Sequence, residues 1–346
     1  MTTVRNRSHL LSSSHVFRAM GTTIGITIVH DARQEDAAKE ALVCAERFFR
    51  DNEKRFSRFD SSSELSLLNR RGRLDRPSDE FLDVLERASR WQKSTSGVFN
   101  PAVLPALLSA GYDVDFDIVK KRSTALKVEP SPQITVGQAF SVSRSGSGQT
   151  TIELNDDAKI DPGGIVKGWT VDRAGERLRK FHGYLVDAGG DIAVRGSNPS
   201  GSPWVVGVAN PDNAGVMIDI VALESGGLAT SSVRKRSWIS GAPGISDAGR
   251  AHHIIDPAQG LPSDSNVIQA TVVAGSAEEA DVLAKSVIVL GADRGINKVE
   301  SITGAQALLV LKSGALMQTS NWAQLQPVQS IGAALWPDRS ELRGLQ

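Results

Sequence analysis

Ile160-Asp161-Pro162-Gly163-Gly164-Ile165-Val166-Lys167-Gly168-Trp169 is the densest stretch of the chain. A strand-like run at residues 150–154 precedes it, and a helical run at 169–181 follows, with Val171, Ala174, Leu178 and Phe181 on one side. Paired glycines let a backbone approach a ligand closely, and free N–H groups at a helix N-terminus attract anions. Lys167 adds a full positive charge one turn inside, which suits a phosphate or pyrophosphate. The spacing is neither GxGxxG nor a P-loop. The same residues also serve a plain strand-to-helix turn, and this segment by itself leaves both readings open.

Working outward, residues 22–29 read as a strand, and 34–53 as an amphipathic helix with Ala38, Ala41, Leu42, Ala45, Phe48 and Phe49 as its stripe. Residues 63–69 form a short helix and 78–94 a strong one capped by Ser78. Residues 125–148, rich in Pro, Ser and Gly, read as a surface excursion between strands. Short strands are expected at 184–186 and 192–194 around Gly189-Gly190, then at 204–208, 216–221, 252–255 and 268–273. A helix at 277–289 and a last strand at 307–312 complete the pattern. No internal repeat is visible. Hairpins mixed with helices make the fold class α+β rather than regularly alternating βαβ.

The chain has 346 residues, enough to bury a sizeable core, and a soft prior of roughly 150 residues per domain gives about two. Lys plus Arg number 39 and Asp plus Glu number 39, and this balance argues against a sequence-independent nucleic-acid binder. The single cysteine, Cys44, rules out an intrachain disulfide or a cysteine metal cluster and reads as a small core residue. No membrane span and no signal peptide are visible, so the expected location is the cytoplasm.

Three further segments carry chemistry. His252-His253-Ile254-Ile255-Asp256-Pro257 offers a histidine base at a strand end, or a surface histidine beside a turn; adjacent histidines in a strand face opposite ways. Asp281 and Lys285 are four apart and share a helix face, as a solvated ion pair or with Asp281 as a carboxylate ligand for a hard cation. Ser96-Gly97-Val98-Phe99-Asn100-Pro101 is a plain turn or a loop presenting Phe99 to a flat ligand.

In order along the chain, these segments resemble the FAD:protein FMN transferase (ApbE-like) family. The resemblance runs over about residues 17–312, through Ala19-Met20-Gly21-Thr22, Phe56-Ser57-Arg58-Phe59, Ser63-Glu64-Leu65 and Asn69. It continues through Gly97 to Pro101, Asp161 to Gly168 and Asp187-Ala188-Gly189-Gly190-Asp191-Ile192. It closes with Ala229-Thr230-Ser231, His253 to Pro257 and Ala280-Asp281. Each motif is weak alone; their order is specific.

The resemblance implies a two-lobed, T-fold-like domain over residues 17–326, with mixed, largely antiparallel sheets and flanking helices. A flexible segment at 1–16 and a tail at 327–346 would flank it. It implies FMN transfer from FAD to a Thr or Ser hydroxyl of a target flavoprotein, with release of AMP. Met20, Val98, Phe99, Asn100, Asp161, Lys167 and Ile255 would contact FAD, with Lys167 near the pyrophosphate. His253 would take the hydroxyl proton. The Gly164 carbonyl and the Asp281 carboxylate would hold Mg²⁺.

Three positions depart from the family pattern. Lys285 stands where a metal-binding Thr is usual, and a protonated ammonium donates three hydrogen bonds and accepts none. Either Lys285 replaces part of the metal's charge at a phosphate, or it pairs with Asp281 and weakens metal binding. The alternatives to transfer are FAD pyrophosphatase activity and non-catalytic FAD binding. Ser232 stands where Gly is frequent and Asn100 where Asp is common; both are expected to tune the pocket.

Overall fold

The computed structural model describes residues 10–122, 134, 137–146, 148–155, 158–240 and 250–327. The chain opens with strands β1 (Leu11–Ala19) and β2 (Thr22–His30), then helices α1 (Glu35–Phe56) and α2 (Glu64–Arg71). Next come β3 (Arg73–Asp75), α3 (Asp79–Ser94), α4 (Leu104–Ser109), α5 (Phe116–Val119), β4 (Phe140–Arg144) and β5 (Thr150–Leu154). Helix α6 (Val166–Arg177) precedes β6 (Gly183–Ala188), β7 (Asp191–Gly196), β8 (Trp204–Ala209), β9 (Met217–Leu223) and β10 (Ser225–Ser232). The short strands β11 (Ser237–Ile239), β12 (Arg250–His252), β13 (Ile255–Asp256) and β14 (Leu261–Pro262) lead to β15 (Val267–Ala274). Helices α7 (Ala277–Leu290) and α8 (Ala292–Glu300) and strands β16 (Gln306–Leu311) and β17 (Leu316–Gln318) follow.

Eight strands pair in the order β1-β2-β6-β7-β10-β15-β16-β17, each antiparallel to its neighbour. The α+β class with flanking helices is the observed one. Alternation sends Ile24, Ile26 and Ile28 of β2 toward α1 and α6, while Val29 faces the opposite side. On that opposite side the β8–β9 ribbon and Trp322 cover the sheet. Strand β15 is buried along its whole length because α7 covers one face and this layer the other. A second core gathers α2, α3, α4 and the three-stranded sheet β3-β5-β4, and it reaches Trp169 of α6 and Val282 of α7. Among the described residues, no helix is long and apolar enough to cross a membrane.

Several expectations are corrected. Part of the segment expected to be flexible, from Leu11, is strand β1. Its Leu-Ser-Ser-Ser-His run is polar because β1 is an edge strand, with only Phe17 and Ala19 buried. Within the expected surface excursion, Phe140–Arg144 is strand β4, anchored by buried Phe140 against β5; most of the rest lies outside the described residues, as does the expected tail from residue 328. Cys44 is exposed, off the buried α1 stripe of Ala38, Leu42, Ala45 and Phe49. The run expected as one strand at 252–255 is broken, with His253 between β12 and β13.

Two close approaches set the layout. A methyl group on Gly168 of α6 would lie 2.6 Å from the Ala277 carbonyl oxygen at the start of α7. One on Gly227 of β10 would lie 2.1 Å from the Ala277 nitrogen. Helix α7 therefore rests directly on α6 and β10. Gly168→Ala is expected to destabilise the fold by roughly 1–3 kcal/mol through this overpacking. Gly25→Ala, where a methyl meets nothing within 4 Å, is the control and should be neutral. Urea unfolding midpoints of the two variants measure the difference.

Candidate active site

The functional segments converge on one cavity of about 280 Å³ where the two cores meet. The 160–164 turn is pinned from two directions. The side chain of Asn69 on α2 donates to the Ile160 carbonyl and accepts from the Ile160 N–H, both at 2.8 Å. The Asp161 N–H donates to the Pro101 carbonyl at 2.7 Å. Asp161 then accepts from the Gly163 N–H at 2.8 Å, which shapes the turn ahead of α6. Opposite this turn, α3 ends with Ser96 and Gly97 at positive φ, which swings Phe99 into place; its N–H donates to the Thr95 hydroxyl. A methyl on Gly164 would lie 3.0 Å from the Phe99 ring and 3.5 Å from the Lys285 stem, so these three residues are packed together.

Met20 and Gly21 form the two-residue turn between β1 and β2, both at positive φ. That conformation is unusual for methionine, and the Met20 N–H is held by Glu53 at 2.6 Å. The turn brings Met20 to the cavity wall. Asn100 accepts from the Ala102 N–H at 2.9 Å and so supports the Phe99 loop from below.

Of the residues named from the sequence, Met20, Val98, Phe99, Asn100, Asp161, Gly164, Lys167, His253 and Ile255 all line this cavity. Asp281 lies just behind the wall and reaches it through Lys285. Lys167 pairs with Asp191 and Lys285 with Asp281. The Asp281–Lys285 pair exists as the spacing predicted, but it is not solvated: the side chains are 1% and 16% exposed. Burial pulls the Lys167 pKa down, yet Asp191 and Asp281 together outweigh it and leave it raised. Burial and neighbouring Asp191 push the Asp281 carboxyl up, against the pull of Lys285 and Lys167.

His252 turns to the Ser263 carbonyl at 3.0 Å, while His253 faces the cavity. The Nδ1 of His253 is buried without a partner among the described residues. Burial, reinforced by Arg236, His252, Lys285 and Lys167, holds its pKa well below the ordinary histidine value. His253 is therefore a neutral imidazole at neutral pH, able to accept a proton.

Three site residues were given no role by the sequence reading, although Arg58 and Asp191 lie in motifs that carry the resemblance. Arg58 pairs with Asp161 at 3.1 Å and lies 4.3 Å from the centres of both the Phe59 and Tyr112 rings, with one guanidinium nitrogen buried and without a partner among the described residues. Arg236 lines the cavity and donates to the Gly21 carbonyl at 3.4 Å. Asp191 anchors Lys167 from β7. The Phe-Ser-Arg-Phe run was the only available signal for Arg58, because a cation between two rings forms only in the folded chain.

A profile of the ApbE family matches residues 20–309. The chain belongs to the ApbE family. The FAD:protein FMN transferase of Haemophilus influenzae is 25% identical over 324 residues, 88% of each chain. That of Vibrio cholerae is 27% identical over 294 residues, 82% of each chain. Among solved structures, the ApbE protein of Thermotoga maritima matches with a TM-score of 0.77 at 24% identity, covering 92% of this chain and 100% of its own. The flavin transferase ApbE of Vibrio cholerae matches at 0.72 and 22% identity, covering 91% and 99%. These likenesses establish the ApbE fold.

The magnesium ion that the ApbE resemblance implies does not fit the residues as they stand. One Asp281 oxygen already faces the Lys285 ammonium, and a dication beside it would meet like charge.

The position of α7, which carries both Asp281 and Lys285, depends on Asp172 of α6. Asp172 accepts from the Ala277 and Glu278 N–H groups at 2.9 and 2.8 Å, capping α7 from another helix. Burial, with the Glu278 charge adding to it and these two N–H groups opposing, pushes Asp172 from 3.8 up to about 6. A raised acid stabilises the fold below its unfolded value, and that contribution is lost as pH rises through about 6. Between pH 4 and 7 the unfolding free energy of the wild type should fall relative to Asp172→Asn by roughly 2 kcal/mol. Denaturant titrations of both proteins across that range measure it.

Proposed function

We propose that this ApbE-family chain transfers FMN from FAD to a threonine or serine hydroxyl of a target flavoprotein, releasing AMP, with residues 17–326 as one catalytic unit. The observation that carries the reading is the meeting, in one cavity, of a neutral His253, whose Nδ1 has no partner among the described residues, with two lysines and a flat aromatic wall. The names of the Haemophilus and Vibrio relatives support it.

In this reading Phe99, Ile255 and Met20 pack against FAD, and Asp161 with Arg58 borders it. Lys167 and Lys285 neutralise charge on the pyrophosphate as the transition state forms. His253 accepts the proton of the acceptor hydroxyl. The hydroxyl oxygen then bonds to the phosphorus of the FMN half, the bond from that phosphorus to the bridging oxygen breaks, and AMP departs with that oxygen. No step uses a thiol, which agrees with Cys44 lying exposed on α1.

The test is to incubate the purified protein with FAD and an acceptor-bearing target and to follow covalent flavin by in-gel fluorescence. Labelled target and stoichiometric AMP are expected. Release of FMN and AMP without acceptor would mark a pyrophosphatase, and neither product under any condition would overturn catalysis. His253→Ala should retain FAD binding and lose about 10²–10⁴-fold in transfer rate. Because free His253 stays neutral well below the ordinary histidine range, the acid limb of the kcat/KM profile should fall below pH 6.5. A limb above 6.5 would contradict the base assignment.

A further inference from the structure

Two lysine–aspartate pairs form the polar floor of the cavity. Lys167 of α6 meets Asp191 of β7, and Lys285 of α7 meets Asp281 of the same helix. Both carboxylates are nearly wholly buried, at 2% and 1% exposure, while both lysines reach the cavity surface. The aliphatic stem of Lys285 packs beside Gly164 and Phe99, which fixes where its ammonium can go. An ammonium has three donors; Asp281 takes one, leaving two for a ligand. A pyrophosphate presents two negative charges and several acceptor oxygens, and the floor presents two anchored ammonium groups.

Resting on the reading of FAD as the substrate, we propose that Lys285 takes the charge-neutralising place of a divalent cation at the FAD pyrophosphate, so that this chain binds FAD without added metal. Asp281 is then the counter-ion that holds and orients an ammonium. Lys285 contacts substrate, and Asp281 positions it.

The experiment follows FAD binding to the full-length protein by flavin fluorescence, in EDTA and in excess MgCl₂. The expected result is the same Kd in both. Lys285→Met should weaken binding by at least about tenfold, the loss of a charge-assisted hydrogen bond, with no recovery on adding Mg²⁺. Lys285→Arg keeps the charge and should keep most of the affinity. Circular-dichroism melts check that the variants fold; if Lys285→Met does not, the Asp281→Asn/Lys285→Met double variant removes the stranded carboxylate and carries the same expectation.

Wild-type affinity that collapses in EDTA and returns with Mg²⁺ overturns the proposal, and this arm needs no variant. Wild-type affinity in a folded Lys285→Met protein overturns it as well. Metal-independent FAD binding without transfer to any acceptor supports the role of Lys285 and sinks the transferase reading instead. Failure to bind FAD under either condition overturns both.

Discussion

Helices α6 and α7 touch backbone to backbone at Gly168, and the chemistry of the cavity depends on that contact. One helix carries Lys167 at its first turn; the other carries Asp281 and Lys285. Bringing Gly168 against Ala277 draws the two charged pairs into a single floor, and Gly227 lets the same helix start sit flat on β10. Asp172 then holds the N-terminus of α7 through its free N–H groups. The sheet below is a broad antiparallel platform. At the site it supplies Asp191 and the Met20 turn and seats these two helices.

Burying four charges in one place is expensive unless each is matched, since desolvation alone disfavours every ion. Here the charges are matched pairwise, and burial weighs most on the carboxylates beneath while the ammonium groups retain some contact with the cavity. The arrangement keeps the ammonium groups facing the cavity over their buried counter-ions. Burial first, and then the nearby Arg236, His252, Lys285 and Lys167, keep His253 unprotonated. One group of charges therefore attracts an anionic ligand and keeps the base ready.

Much of this was legible in the linear chain, because glycine-rich turns and amphipathic stripes are local. The Ser78-capped helix and the Phe99 loop lie where periodicity and turn chemistry place them, whereas the helix after the Gly163-Gly164 turn runs Val166–Arg177, earlier at both ends than the expected 169–181. Strand β10 was not legible: its Gly-Gly-Leu-Ala-Thr-Ser run lacks strand propensity, because α7 lies on it and leaves no room for larger side chains. Strand β1 was hidden for the opposite reason, since an edge strand has few buried positions to advertise. Spacing found the Asp281–Lys285 pair but could not show its burial, which comes from packing of β10, β15 and α6 around α7. Arg58 and Asp191 owe their importance to partners about a hundred and two dozen residues away in sequence, respectively.

The Asn69 side chain presents an amide to Ile160 as a neighbouring strand would present its backbone. That amide and the Pro101 carbonyl fix the start of the active-site turn from outside its own segment. Strand β5 just ahead of it belongs to the second core, so the turn is held from that side as well. Asn69 is not among the residues lining the cavity, so the register of Asp161 is governed by a side chain that stands outside the site it shapes.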